Sequence, residues 1–366
     1  MVPKTSLNVQ VPPKLPVFFN TYAKFSRDIA MLTYKVAARE ATRPFTMGDA
    51  LAGIGARGVR MAVEVAGVDE VCVNDLNPTS VEYASAIAQL NGVSDKCKFT
   101  SLDACQFLIN HSSPRERFSI VDIDPFGSPA PYLDCAIRAV KKDGWMAVTA
   151  TDTPVLCGIY PKVAFRRYCG YSLRTEYCHE VGIRLLLGAL AHAGMKIDIG
   201  IIPIFSHTTR HYIRSYVKIS TGASKAERAR QSLGYINHCF ACGSRSVDGE
   251  AKQRCSACGA SVKTGGPLWV DDIYDAAALK ELIILSEERY RKLFERAVEE
   301  SEMPPTYYVP DRISDELQVS SSSPDRVVEA LRHEGYRASR TAINPKGVKT
   351  DATISVVKDV IQKLSS

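Results

Sequence analysis

Between Phe45 and about Thr151, short apolar runs alternate with helix-compatible segments, and this alternation limits the possible fold more than any other feature. The runs are Thr46–Leu51, Glu70–Asn74, Lys98–Leu102, Phe118–Asp122 and Trp145–Thr149. Between them lie Ala56–Gly67, Pro78–Asn91, Ala104–Asn110 and Pro131–Lys142. Asn77 as N-cap, with Pro78 at the first helical position, starts the second segment, and Asn91-Gly92 closes it. Strands that regularly alternate with helices pair in parallel, with helices on both faces of the sheet. The expected class is therefore α/β with a Rossmann-like sheet. Ligands of such sheets sit beyond the carboxyl ends of the strands, so residues at those ends become the candidates. Ahead of the alternation, Phe18–Glu40 is expected to be an entry loop and an amphipathic helix. Beyond it, Ile197–Phe205 and Ile213–Ile219 are expected to finish the sheet as a hairpin.

After the first run comes Asp49-Ala-Leu-Ala-Gly-Ile-Gly-Ala-Arg-Gly58, with Gly53, Gly55 and Gly58 at G-x-G-x-x-G spacing. Glycines here permit a tight turn and let a ligand approach the backbone. Asp75 ends the second run, where a carboxylate accepts hydrogen bonds from both hydroxyls of a ribose. The third ends at Asp103-Ala104, beside which an adenine amino group would lie. Taken alone, the glycine pattern fits a nicotinamide dehydrogenase equally well.

The fourth run separates the two. It stops at Asp122-Ile-Asp-Pro-Phe-Gly-Ser-Pro129, a rigid turn at a sheet edge. Asp124 supplies a hydrogen-bond acceptor, the Pro125 carbonyl a second one, and Phe126 a flat stacking surface. That set suits chemistry on an exocyclic amine of an extruded base, whose lone pair is delocalised into the ring and must be oriented before it attacks. A dehydrogenase has no need of such a wedge, whereas methyltransferases acting on amino groups carry an Asp/Asn-Pro-aromatic element there. S-adenosylmethionine is then the expected cofactor.

With 366 residues, 45% of them hydrophobic and 23% charged, the chain is long enough for two or three ordinary globular domains. No apolar run approaches a membrane span and the N-terminus lacks a signal-peptide core, so a cytoplasmic protein is expected. The net charge of +6 is compatible with a polyanionic partner. From Gly158 to Arg184 five cations (Lys162, Arg166, Arg167, Arg174, Arg184) are interleaved with Tyr160, Tyr168, Tyr171 and Tyr177. Such a mixture suits a phosphate backbone and unpaired bases, and equally a solvated face with core tyrosines.

Of eleven cysteines, Cys72, Cys97, Cys105, Cys135, Cys157, Cys169 and Cys178 are scattered through apolar sequence and are expected to be reduced core residues. The other four, Cys239, Cys242, Cys255 and Cys258, form C-x2-C-x12-C-x2-C, with glycine after the second cysteine of each pair. Two such knuckles supply four thiolates for tetrahedral zinc and leave no open position, so the expected site is structural. His238 is adjacent and surplus, and the charged hairpin between the pairs offers a further surface for RNA. Thr-Gly-Ala-Ser near Gly222 marks a boundary. The expected domains are residues 1–222 for methyl transfer, 223–272 as a zinc-binding linker and 273–366 for RNA contact. In the last of these, Asp271–Ser301 is expected to be one long helix. A Ser-rich breaker, a helix over Asp325–Gly335 and a short strand then make a small α+β, winged-helix-like unit.

With the glycine loop, Asp75, Asp103 and Asp124-Pro-Phe-Gly in view, the chain resembles the Trm1 family of tRNA (guanine(26)-N2)-dimethyltransferases. Val17-Phe-Phe-Asn20, Arg27-Asp28, Val148-Thr-Ala-Thr-Asp152, Leu173-Arg-Thr-Glu-Tyr-Cys-His-Glu-Val-Gly182, Gly266-Pro-Leu-Trp269 and Gly335-Tyr-Arg-Ala-Ser-Arg-Thr agree with it, so the likeness covers nearly the whole chain. The resemblance implies a class I S-adenosylmethionine-dependent enzyme that methylates N2 of guanosine 26 once and then again. It further implies that Arg27, Arg57, Asp75, Asp103 and Ala104 contact the cofactor. Phe18 and Phe126 would sandwich the guanine, with Asp124 and Pro125 on its edge. The cysteine knuckles are not common to all members of the family. Methylation of another RNA position, or a zinc-containing RNA-binding protein without activity, are the competing functions. A monomer is the expected state.

Overall fold

All of the expected strands form in the computed structural model, which describes residues 19–209 and 211–365. The chain divides into two units. The first holds the described residues up to Ala150 together with Lys196–Ile202 and Tyr216–Ala226. It opens with α1 (Lys24–Glu40) and continues through β1 (Thr46–Asp49), α2 (Gly58–Glu64), β2 (Glu70–Asn74) and α3 (Pro78–Leu90). Then come β3 (Cys97–Thr100), α4 (Ala104–Asn110), β4 (Phe118–Ile123), α5 (Leu133–Arg138) and β5 (Val140–Ala150). Asn77 caps α3 by accepting from the Thr79 amide, with Pro78 next to it as expected. The expected helix Pro131–Lys142 is shorter than its pattern. A 3-10 turn at Ala130–Tyr132 precedes α5, and residues from Val140 onward join the sheet because Val140 pairs with Phe118.

The strand order is β3-β2-β1-β4-β5-β7-β6, where β6 is Ile199–Thr208 and β7 is Ile213–Thr221. Pairs β1–β2, β1–β4, β2–β3 and β4–β5 are all parallel. The central strands are apolar on both faces, and Val71, Val73, Ile120, Val121, Ile123, Met146 and Val148 are all buried. Strand order reverses between β1 and β4, which opens a crevice at their carboxyl ends. The register Asp49↔Asp122 brings the two strand ends level at that point.

The second unit comprises Thr151–Met195, Pro203–Ser215 and Glu227–Ser366. It begins with α6 (Thr153–Leu156), α7 (Pro161–Tyr168) and α8 (Cys178–Met195), and α9 (Ala223–Gln231) runs into it. A three-stranded antiparallel sheet follows in the order β10-β8-β9, with β8 at Leu233–His238, β9 at Arg245–Asp248 and β10 at Lys263–Trp269. The expected long helix is two, α10 (Ala276–Leu285) and α11 (Glu288–Glu299), because Ser286 and Glu287 turn extended between them. The C-terminal elements are α12 (Pro310–Leu317), α13 (Pro324–His333), the hairpin β11 (Ala338–Arg340) and β12 (Val348–Thr350), and α14 (Ile354–Ser365). They share an apolar core of Ile313, Val327, Leu331, Val348, Val357 and Ile361.

A buried ionic cluster lies inside this unit. Lys349 on β12 donates to Glu180 on α8 at 2.7 Å and lies 3.3 Å from Glu300. Arg184 reaches the same Glu180 carboxylate at 3.0 Å, and Tyr274 donates to Glu300 at 2.7 Å. Each buried charge is thereby matched, which is the condition for tolerating it away from water.

Candidate active site and metal centre

The strand ends at the switch point are held by a residue that was not singled out above. Asn74, the last residue of β2 and fully buried, donates to the carbonyls of Ala50 and Leu102, each at 3.0 Å. Its Oδ1 accepts from the Leu102 amide at 3.0 Å and the Thr100 hydroxyl at 2.8 Å. One side chain thus ties together the ends of β1, β2 and β3, from which the glycine loop, Asp75 and Asp103 project. An asparagine at the end of an apolar run marks the position in the sequence, but only the strand pairing shows what it ties together.

The loop after β1 turns through positive φ at Gly53 and Gly55, 56° and 72°. A Cβ at Gly53 would meet nothing within 4 Å, so there is open space above the backbone at that point. Asp75 is half-buried and faces the same loop, accepting from the Gly53 amide at 2.8 Å and the Asn77 amide at 2.9 Å. Asp103 caps α4, its Oδ1 taking the amides of Cys105 and Gln106 at 2.9 and 3.1 Å, and Ala104 is buried behind it. A carboxylate beside an open glycine turn, with a second acid one strand further out, fits the ribose and adenine of a nucleoside cofactor.

Beside them stands the wedge. Asp124 lies just past the end of β4, on the same side of the strand as Asp122 two residues earlier. Arg57 forms an ion pair with Asp124, lies 3.8 Å from Asp122 and donates to the Ser26 hydroxyl at 3.1 Å. Tyr34 donates to the same Asp122 oxygen that Arg57 approaches. Beneath, Asp49 accepts from the Gly58 amide at 3.0 Å. Burial, and then the neighbouring Asp122, push its carboxyl up to about 8. Pro125 is buried, which fixes the turn, whereas Phe126 is 81% exposed. An aromatic ring so exposed offers a surface on which a base can stack.

Arg27 is 3% exposed and donates to the carbonyls of Asn20 and Thr21 at 2.8 and 3.5 Å, with Phe19 stacked on its guanidinium. It therefore anchors the arm that leads into α1. Burial, with Arg57 and Arg60 nearby, lowers its pKa to about 10. Phe18 lies outside the described residues. The other expected residues (Arg27, Gly53, Gly55, Arg57, Asp75, Asp103, Ala104, Asp124, Pro125 and Phe126) all belong to the first unit, around the β1–β4 crevice.

Two of the scattered cysteines correct the expectation of reduced core thiols. Cys105 on α4 and Cys135 on α5 form a disulfide, their Cα atoms 5.5 Å apart. The helices that follow β3 and β4 lie side by side, which sequence spacing did not reveal. Cys157 and Cys178 are half-buried and Cys169 is exposed, so only Cys72 and Cys97 of that group are free core thiols.

The four clustered cysteines do come together, with Sγ distances of 3.5 Å for Cys239–Cys258 and 3.7 Å for Cys242–Cys255. A tetrahedral zinc with bonds of about 2.3 Å needs sulfurs about 3.8 Å apart, so the donor set fits that metal. The Ala257 and Cys258 amides aim at Cys255, whose thiol falls to about 6. Each knuckle closes on a glycine amide, Gly243 to Cys239 at 2.8 Å and Gly259 to Cys255 at 2.9 Å.

Comparison with known proteins agrees with this geometry. The profile of the N2,N2-dimethylguanosine tRNA methyltransferases matches residues 1–362. A tRNA (guanine(26)-N(2))-dimethyltransferase of Methanothermobacter thermautotrophicus is 36% identical, over 97% of this chain and 95% of its own. That of Methanosarcina acetivorans is also 36% identical, over 100% and 96%. Among solved structures, a complex of Trm1 from Pyrococcus horikoshii with S-adenosyl-L-methionine superposes with a TM-score of 0.86. It is 29% identical and covers 98% of each chain.

Proposed function

The chain belongs to the N2,N2-dimethylguanosine tRNA methyltransferase family, and from that membership we infer its reaction. It transfers methyl groups from S-adenosylmethionine to N2 of guanosine 26 in tRNA, giving N2-methyl- and then N2,N2-dimethylguanosine. The observation that carries the site assignment is the placement of Asp124-Pro-Phe at the end of β4, next to the glycine loop that follows β1.

We propose the following roles. Asp75 holds the ribose hydroxyls, Asp103 and Ala104 border the adenine, and Gly53 and Gly55 let the cofactor lie against the backbone. The bound cofactor supplies an electrophilic methyl group on a sulfonium. Arg57 orients Asp124 and lies where it can also meet the cofactor's carboxylate. Asp124 and the Pro125 carbonyl accept the two amine hydrogens of guanine in the first transfer, and one of them the hydrogen that remains in the second, which turns the nitrogen lone pair toward the methyl group; each transfer sheds one N2 proton to solvent as the sulfonium becomes a neutral thioether. Phe126 stacks the extruded base, with Phe18 proposed for its other face. Arg27 holds the Asn20–Thr21 arm that would carry Phe18 into place.

For the rest of the chain we propose methyl transfer in residues 1–222, a zinc-binding linker in 223–272 and tRNA contact in 273–366. A winged-helix-like character of the last segment is supported by α12, α13, the β11–β12 hairpin and α14 around one core. A cytoplasmic monomer completes the proposal.

Nucleoside analysis of tRNA incubated with the protein and S-adenosylmethionine tests the reaction. Both methylated guanosines are expected from wild-type substrate, and neither when position 26 is adenosine. Asp124→Asn keeps the shape of the side chain but removes its charge and half of its acceptor capacity. It is expected to lower transfer by about 100-fold or more while leaving cofactor affinity within a few-fold. Unchanged turnover would remove Asp124 from the mechanism.

A further inference from the structure

Three donor atoms outside both sites above converge in the second unit. The Sγ atoms of Cys157 and Cys178 and a ring nitrogen of His179 all lie within 4.8 Å of one another. The Cys178 sulfur is 3.9 Å from Nδ1 of His179. All three residues are half-buried, so the cluster is reachable from solvent without being part of a loose surface.

The fold brings them together by a close backbone approach. Cys157 ends α6, its amide donating to the Thr153 carbonyl at 2.8 Å. The next residue, Gly158, has φ of 91°, and a Cβ there would lie 2.2 Å from the Arg174 nitrogen and 2.3 Å from the Leu173 carbonyl carbon. Only glycine lets the chain after α6 pass so close to the strand of residues that leads to α8. That crossing places Cys157 against the first turn of α8, where Cys178 and His179 are consecutive.

A tetrahedral zinc with sulfur bonds of about 2.3 Å and a nitrogen bond of about 2.05 Å needs S···S near 3.8 Å and S···N near 3.6 Å. The cluster is within a few tenths of an ångström of that for the measured pair. Two thiolates and an imidazole are the donor set of a thiophilic cation rather than of magnesium or calcium. Cys157 and Cys178 are not bonded to each other, in contrast to Cys105 and Cys135 in the same chain.

We propose that Cys157, Cys178 and His179 form a second metal site, taking zinc through three protein ligands and leaving its fourth position to water or an external ligand. This site is separate in sequence and ligand set from the closed four-cysteine centre, and it stands independently of the methyl-transfer assignment. Three-ligand zinc with an open position exchanges more readily than a closed centre and binds exogenous thiols or other small donors.

The test is metal counting on the full chain, purified with a phosphine reductant, saturated with zinc and gel-filtered. The wild type is expected to retain two zinc per chain, the Cys157→Ser/Cys178→Ser double variant one, and His179→Gln an intermediate, weakly held second equivalent. Cobalt substitution adds a readout of the ligand set: the double variant should lose the absorption of a two-sulfur site and keep that of the four-sulfur site. Loss of the only equivalent in the double variant would still support the site and instead sink the four-cysteine centre. Equal metal content in wild type and double variant would overturn the proposal. So would a Cys157–Cys178 disulfide found by alkylation and mass analysis of the zinc-treated protein.

Discussion

At the scale of single residues, the site is built from carboxylates whose surroundings differ. Asp75 is presented to the glycine loop and Asp124 is paired with Arg57, while Asp49 is buried beside Asp122. Removing the Asp75 carboxylate deletes the acceptor proposed for the two ribose hydroxyls. Asp75→Ala is expected to raise the dissociation constant for S-adenosylmethionine by about 10- to 100-fold, at about 1.5–3 kcal/mol for hydrogen bonds to a charged group. Calorimetry measures it, and unchanged affinity would place the ribose elsewhere. Asp49 gives a pH effect of opposite origin. Its carboxyl is raised to about 8 in the fold and ionises near 4 in the unfolded chain. Between those values the unfolded chain releases a proton that the folded one keeps. The stability from this group is therefore complete below about pH 4 and lost as pH rises toward about 8. Asp49→Asn, permanently neutral, should show a flatter decline of melting temperature over that range; parallel curves would mean that Asp49 is ionised in the fold. Asp75, Asp103 and Asp124 were legible in the sequence because each ends an apolar run. Asn74, Tyr34 and the Asp49–Asp122 pair were not, since their roles depend on which strands become neighbours.

At the scale of elements, β2 and α4 fall on their expected boundaries, and α3 ends one residue early. Capping chemistry and period marked them. The break between α10 and α11 carried no glycine or proline, so a continuous apolar pattern hid it. The polar Lys141-Lys142 pair continued a helical pattern, and pairing of Val140 and Trp145 with β4 on either side of it overrode that pattern. The α4–α5 disulfide was invisible for the same reason, being a matter of which helices adjoin. It spans a sequence separation of 30, for which chain-entropy reasoning gives about 3–4 kcal/mol of stabilisation. Cys135→Ser, or reductant added to the wild type, is expected to lower the melting temperature of the protein by several degrees. A wild type that melts identically with and without reductant would show that the bond is not formed in solution. Since Asp103 caps α4 and α5 follows the wedge turn, the bond joins the side of the crevice proposed for adenine to the side proposed for the guanine.

At the scale of the whole molecule, the chain carries a net charge of +6 and acts on a polyanion. No helix among the described residues is long and apolar enough to cross a membrane. Raising salt from about 50 to 200 mM is expected to increase KM for tRNA by 10-fold or more while kcat changes little, because released counterions drive binding. A KM insensitive to salt would mean that shape and base contacts dominate. The family and the reaction were legible across nearly the full length because their motifs sit at strand ends, whereas the two-unit division was not, since segments 196–202 and 216–226 return to the first unit. Phe126 adds a constraint on the RNA itself. Stacking a base on one exposed ring returns about 1–3 kcal/mol, and drawing a base from a sound helix costs a few kcal/mol. The two are of similar size, so stacking on this ring alone would offset the extrusion of a base without a large surplus. In the role proposed for it, a guanine held loosely in the RNA should be methylated faster than a well-stacked one, and the stacking strength of the substrate becomes part of how the target is chosen.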